Sequence, residues 1–106
     1  ITKDELHKEN FDMVFISGVF NNKTHNNQQF FEDTIATLFK ITSHCLAFNM
    51  MSAHVDYQDE DLFYIYPEKV FSYCKKNITP FITLVNDYQI KKDVIPFEFA
   101  CFLYRK

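Results

Sequence analysis

The chain has 106 residues, which suits one small domain, and 47% of them are hydrophobic, enough to form a core. The formal net charge of -3 comes from mixed charges, and no basic patch points to nucleic-acid binding. The apolar runs are far shorter than the roughly 20 residues of a membrane span, and no signal-peptide pattern opens the chain, so we expect a cytoplasmic protein that does not enter a membrane.

The first predicted strand covers residues 12–17 and leads into Gly18, the only glycine of the chain. Residues 13–16 form an unbroken apolar run, which is typical of a strand buried on both faces of a parallel sheet. In open α/β sheets, ligands bind outside the carboxyl ends of the strands. The residues that follow this strand are therefore the first candidates for a binding site.

A helix and a second strand are predicted next. Apolar side chains recur at helical spacing over residues 27–42, which indicates an amphipathic helix. Residues 45–51 form a second apolar run, and its short length favours a buried strand over a helix. The polar, acidic and aromatic segment 54–66 that follows is predicted to be a loop.

The last third of the chain is predicted to contain one helix and two strands. Pro67 suits the first turn of a helix over residues 67–76. Residues 81–85 and 97–104 have the composition and alternation of strands. The link between these two strands is too short for a crossover helix, so we expect them to pair antiparallel.

In this order, the segments resemble the C-terminal half of a class I S-adenosylmethionine-dependent methyltransferase. Residues 11–21 resemble the family's fourth strand and the turn beyond it, and residues 46–52 resemble its fifth strand. Residues 64–71 resemble the family's last helix. Residues 83–88 and 97–105 resemble the antiparallel pair that closes its sheet. The resemblance covers nearly the whole chain.

The resemblance implies an α/β fold with half of a Rossmann-like methyltransferase sheet. About four strands would follow the order first, second, fourth, third, with the last strand antiparallel to its neighbours and two main helices on one face. Residues 1–106 would form a single partial methyltransferase-like domain. In the family, the glycine-rich loop and the strand-end acid that hold the cofactor precede the fourth strand, and the chain has neither.

The same resemblance implies a cofactor-binding role for the turn after the first strand, which would lie beside the methionine part of S-adenosylmethionine. Gly18 would allow close approach of the backbone there, although an ordinary strand-exit turn is the alternative. The cofactor-binding set is Ser17, Gly18, Val19 and Phe20. The Asn/Asp-Pro-Pro-Tyr motif of amino-methylating relatives is absent, which leaves small molecules, proteins and RNA as methyl acceptors.

Candidates for the substrate side come from the ends of both predicted strands. Asn49 is the one amide in an apolar strand, and it must be hydrogen-bonded either by the fold or by a ligand in a cleft. Asn21 either caps the next element or faces substrate. In the segment after the second strand, a tyrosine or aspartate could orient a nucleophile or act as general base, with a solvated loop as the alternative. The full set is Asn21, Asn49, Ser52, Asp56, Tyr64 and Tyr66, and no catalytic residue is assigned.

Other chemistry is not indicated. The three cysteines, Cys45, Cys74 and Cys101, form no close pair, so we expect buried free thiols and no disulfide framework. The four histidines lack metal-ligand spacing. The acidic run within residues 56–61 lacks the glycine and terminal glutamate of a calcium loop. No metal site is predicted.

These features predict a fragment of an S-adenosylmethionine-dependent methyltransferase with an unassigned small-molecule or protein acceptor. The full-length parent would bind S-adenosylmethionine, and this chain alone would bind little or none and be inactive. The alternative is a non-catalytic binding or assembly module that retains the half-fold. Strand 12–17 is central in the resembled fold, so its unfilled edge predicts self-association or pairing with the missing N-terminal half. The sheet face opposite the two helices would also lack its usual covering helices and expose an apolar patch along residues 13–16 and 45–51.

Overall fold

The computed structural model describes residues 11–86 and 97–105. Most of the predicted link between the last two strands lies outside these residues, as does Tyr88 in the segment that resembles the closing pair. The described elements, in chain order, are β1 (Phe11–Ile16), α1 (Asn27–Lys40), β2 (Thr42–Ser52), β3 (Tyr64–Ile65), α2 (Pro67–Asn77), β4 (Phe81–Val85) and β5 (Glu98–Tyr104). The predicted α/β class is confirmed.

These strands form one mixed sheet. Its order is β1-β2-β5-β4, and the short β3 pairs with β2 outside this path. β1 and β3 run parallel to β2, whereas β5 runs antiparallel to both β2 and β4. The predicted order of the four main strands and the antiparallel last strand are therefore confirmed. β3 was not predicted, because two residues carry no periodic signal.

The boundary between α1 and β2 differs from the prediction. The helix ends at Lys40, two residues before the predicted end, and β2 begins at Thr42. The Thr42 hydroxyl donates to the carbonyl of Leu38 at 2.7 Å, and the Ile41 amide donates to the same carbonyl. Both bonds satisfy the Leu38 carbonyl, one of the groups that a helix leaves without partners at its C-terminal end, so the chain can turn directly into the strand.

Both helices pack on one face of the sheet, as predicted. The alternate residues of β2 on that face pair in register with those of β5, for example Leu46 with Leu103 and Phe48 with Cys101. The apolar stripes of the helices close over them to form one core. Its fully buried side chains are Phe31, Ile35, Leu46, Phe48, Met50, Val70, Cys74, Phe99, Cys101 and Leu103.

The opposite face of the sheet is open at β1. Met13 is 66% exposed and Phe15 is 62% exposed, although their partners Cys45 and Ala47 on β2 are buried. No helix in residues 11–86 or 97–105 covers this face. The prediction that the first strand is buried on both faces is therefore wrong within the described part of the chain. An unbroken apolar run indicates that both faces are apolar, and it does not tell what covers them.

Arg105, which follows β5, forms hydrogen bonds with the C-terminal end of α1 and the start of β2. Its Nε donates to the carbonyl of Thr42 at 2.9 Å and its Nη2 donates to that of Phe39 at 2.5 Å. The guanidinium also lies 4.3 Å from the centre of the Phe39 ring. A cation near the C-terminal carbonyls of a helix is favourable, so this side chain joins helix and sheet by charge as well as by packing.

Candidate functional site

The candidate site lies where β1 leaves the sheet. β1 ends at Ile16, which pairs with Phe48, and β3 begins at Tyr64, which pairs with Met51 on the same edge of β2. The other edge of β2 pairs with β5. On this edge, the part of β2 around Asn49 lies between the residues paired with β1 and those paired with β3, and no described strand pairs with it. The exit from β1 fills this place.

Asn49 is half-buried and holds that exit by two hydrogen bonds. The Gly18 amide donates to Asn49 Oδ1 at 2.8 Å. Asn49 Nδ2 donates to Ser17 Oγ at 3.1 Å. Of the two alternatives for this amide, hydrogen bonding by the fold is what the structure shows. The bonds link residues more than 30 positions apart, so they depend on the strand register.

Gly18 adopts a left-handed backbone with φ of +73°. A Cβ placed there would meet only Asn21 Nδ2, at 3.7 Å, so backbone conformation, not space, requires a glycine. The Asn21 amide donates to the Gly18 carbonyl at 3.4 Å, which closes a turn. The strand-exit turn is therefore present, and close approach of a cofactor to it remains a prediction.

The two residues after Gly18 face different surroundings. Val19 is exposed, whereas the Phe20 side chain is only 2% exposed and packs edge-on against Phe31 and Phe48. The Phe20 side chain thus belongs to the core and is not open to a cofactor. The sequence alone does not show this, because an apolar residue in a turn can point either way.

Asn21 does not cap the following helix, since the residue at the N-cap position of α1 is Asn26. Its carbonyl instead accepts from the Phe63 amide at 2.8 Å. Its Oδ1 is buried and has no hydrogen-bond partner in the described part of the chain. Asn21 therefore contributes an unsatisfied acceptor next to the Gly18 turn.

The polar loop after β1 is joined to the segment before β3. Asn22 forms an isolated antiparallel bridge with Leu62, and the Lys23 amide donates to the Asp61 carbonyl at 3.0 Å. Beside this pairing is an open cavity of about 400 Å³. Its lining is Lys23, Gln58, Asp59, Glu60, Leu62, Phe63 and Tyr64.

The remaining substrate-side candidates are dispersed. Tyr64 lines the cavity and its hydroxyl oxygen accepts from the Asp59 amide at 3.0 Å. Ser52 is fully buried, and its Oγ accepts from the His54 amide. Tyr66 stacks edge-on with His54, and Asp56 lies exposed in the loop. The structure thus gathers Ser17, Gly18, Asn21 and Asn49 at the exit from β1 and leaves the others apart from it.

A contact that the sequence did not predict joins His54 to the first turn of α2. His54 Nε2 lies 2.8 Å from Glu68 Oε1. Backbone hydrogen bonding at the start of the helix, and then the bond to His54, lower the pKa of the Glu68 carboxyl. Both side chains are exposed, so the pair orients the segment after β2 without adding much to stability.

Metal and membrane features are reported for the described residues only. Among residues 11–86 and 97–105, no three of the histidine, cysteine, aspartate and glutamate side chains lie close enough together to hold a metal ion. None of the helices there is long and apolar enough to cross a membrane.

Comparisons with protein-family models, with curated proteins and with solved structures gave no match for this chain. The resemblance to methyltransferases thus stays a prediction, which depends on the residues at the strand ends and on the order of the strands.

The three cysteines are buried and free, as predicted. Burial raises the pKa of the Cys45 thiol, raises that of Cys74 to about 12, and raises that of Cys101. The reactive thiolate is therefore scarce near neutral pH. We expect iodoacetamide at about pH 8 to leave Cys74 and Cys101 unmodified in the folded chain and to alkylate both in urea, as read by mass spectrometry. Rapid labelling of Cys74 without denaturant would contradict the buried placement.

Proposed function

We propose that this chain is the C-terminal half of an S-adenosylmethionine-dependent methyltransferase and that it contributes one wall of the cofactor site. The observation that supports the proposal is the order β1-β2-β5-β4, with β5 antiparallel to both neighbours. This is the order that the resemblance implies for the second half of such a sheet. The free buried cysteines fit a reducing cytoplasm, where we place the protein.

The residues at the exit from β1 fit one end of the cofactor. Gly18 is exposed, a Cβ there would meet only Asn21 Nδ2, at 3.7 Å, and Ser17 offers an exposed hydroxyl that can donate or accept. Such groups suit the charged amino-acid end of S-adenosylmethionine, whose ammonium donates and whose carboxylate accepts. The chain has no glycine-rich loop to bind the rest of the cofactor, because Gly18 is the only glycine of the sequence.

When bound, S-adenosylmethionine supplies a methyl group on a positively charged sulfur. The residues of this chain would bind and orient the cofactor, with the turn at Gly18 next to it. The paired segments 21–23 and 61–63 would shield that end of the sheet from water. The cavity lined by Tyr64 lies beside the same segments and is our proposed place for the methyl acceptor.

The isolated chain is expected to show no saturable heat when titrated with S-adenosylmethionine in a calorimeter. The reason is that the exit from β1 would contact only the amino-acid end of the ligand, and the chain has no glycine-rich loop to bind the other end. Low-micromolar binding by the 106-residue chain would contradict this expectation and would require a complete site within it.

The proposal itself is tested on the whole protein that contains this chain. Expression of the complete reading frame should give a protein that binds S-adenosylmethionine and transfers its labelled methyl group to an acceptor in a cell extract. Failure to bind the cofactor would overturn the proposal. The matched control is the isolated chain, which should remain inactive in the same assay.

A second candidate is a non-catalytic assembly module, favoured by the exposed Met13 and Phe15 on the open face. The coding sequence upstream of Ile1 distinguishes the two. A glycine-rich strand–turn–helix followed by a strand-end acid favours the enzyme, and a start codon at this point favours the module. In the enzyme, the N-terminal half would pair with the outer edge of β1, where no described strand lies.

A further inference from the structure

The direction of the hydrogen bonds at Asn49 is determined by the chemistry of its partners. A backbone N–H can only donate, so the Asn49 atom 2.8 Å from the Gly18 amide must be the carbonyl oxygen. The other end of the same side chain is then the NH₂ group, which can only donate. Ser17 Oγ, 3.1 Å from that group, therefore accepts.

This arrangement leaves the hydroxyl proton of Ser17 without a partner in the described part of the chain. Asn49 Nδ2 occupies one lone pair of the oxygen, so the O–H bond points away from Asn49. Ser17 is exposed at the carboxyl end of β1, next to the left-handed turn at Gly18. The proton is thus free to turn toward the end of the sheet at which ligands bind in α/β folds.

We infer that Asn49 is a positioning residue that makes Ser17 a hydrogen-bond donor to the ligand. Asn49 itself does not need to touch the ligand, since its oxygen is taken by Gly18. The ligand group beside Ser17 is then an acceptor, a carboxylate or carbonyl oxygen. The inference rests on the proposed function, because the ligand in question is S-adenosylmethionine.

Aspartate at position 49 separates this role from a purely structural one. The carboxylate of Asn49→Asp keeps the acceptor for the Gly18 amide and has the same shape, so the turn should persist. A carboxylate can only accept, so Ser17 must turn its proton toward it and loses the donor that faces the ligand. Asn49→Ala removes both bonds and serves as the disruptive comparison.

The turn can be monitored in the isolated chain by NMR. Because Gly18 is the only glycine, its amide gives a single signal of that type. We expect Asn49→Asp to keep this signal protected from hydrogen exchange, and Asn49→Ala to lose the protection. Equal loss in both variants would show that aspartate does not preserve the turn, and this result would overturn the inference.

The donor role is tested by a double-mutant cycle in the whole protein, with S-adenosylmethionine as the titrated ligand. Ser17→Ala should weaken binding about three- to tenfold in the unaltered background, the effect of one lost hydrogen bond, and should have no effect in the Asn49→Asp background. The cycle cancels the effect of the added charge, because both proteins of the Asn49→Asp background carry it.

The outcomes separate the two claims. If the unaltered protein binds no S-adenosylmethionine, the proposed function and the inference are both overturned. If it binds and Ser17→Ala has the same effect in both backgrounds, or no effect in either, only the inference is overturned. Loss of the Ser17 effect solely in the Asn49→Asp background supports it.

Discussion

Phe48→Ala is expected to lower the free energy of unfolding by about 3–5 kcal/mol. The Phe48 side chain is fully buried in β2 and packs edge-on against Phe20 and Phe31, with ring centres 6.0 and 5.6 Å away. Its removal leaves a cavity between the sheet and α1, which the neighbouring rings can only partly fill. Small domains have only about 5–15 kcal/mol of stability in total. Urea denaturation followed by circular dichroism measures the loss.

Phe15→Ala is the matched control for this prediction. Phe15 is also a phenylalanine in a strand of the parallel pair, but it is 62% exposed on the open face. Its truncation should change the free energy of unfolding by no more than about 0.5 kcal/mol. Similar losses for the two variants would mean that the open face is covered as tightly as the helix face.

The second large effect concerns association. The isolated chain is expected to self-associate as its concentration rises, and the double variant Met13→Lys, Phe15→Lys is expected to remain monomeric. Both side chains are exposed on the open face of β1, whose outer edge pairs with no described strand. An apolar patch next to a strand edge favours association, and lysine on an edge strand opposes it. Light scattering over a concentration series measures the change.

Tyr57→Lys controls for replacing an exposed large side chain by lysine outside β1. Tyr57 is 78% exposed and lies in the loop between β2 and β3, not in β1. This variant should associate like the unaltered chain. A compact monomer of the unaltered chain at high concentration would show that Met13 and Phe15 do not form an interface between copies.

Much of the sheet could be predicted from the sequence, because each main strand is a separate apolar run. The link between β4 and β5 is too short for a crossover, which determines their antiparallel pairing. The position of β5 between β2 and β4 came from the resemblance and not from the pattern. The open face was predicted from the resemblance and not from the apolar run, which does not specify what covers it. The prediction is confirmed at Met13 and Phe15 and is wrong for the β2 part of the patch, where Cys45 and Ala47 are buried.

The candidate site was predicted in position but not in detail. The turn after β1 was expected at Ser17 and Gly18, because a polar residue and the sole glycine follow an apolar strand. The bonds of Asn49 to this turn depend on the register of β1 with β2, which no local pattern encodes. Phe20 was assigned to the cofactor because an apolar residue in a turn can point either way, and its side chain fills the core.

The place of β5 has a consequence for how the molecule is made. β5 is the last described strand to leave the ribosome, yet it lies between β2 and β4 and pairs with both. Until it emerges, the nascent chain carries two strands that lack their common neighbour. Pairing of Asn49 with Ala100 also joins distant parts of the chain, which slows folding. We expect the growing polypeptide to depend on chaperones during this interval, when its strand edges are exposed to other nascent chains.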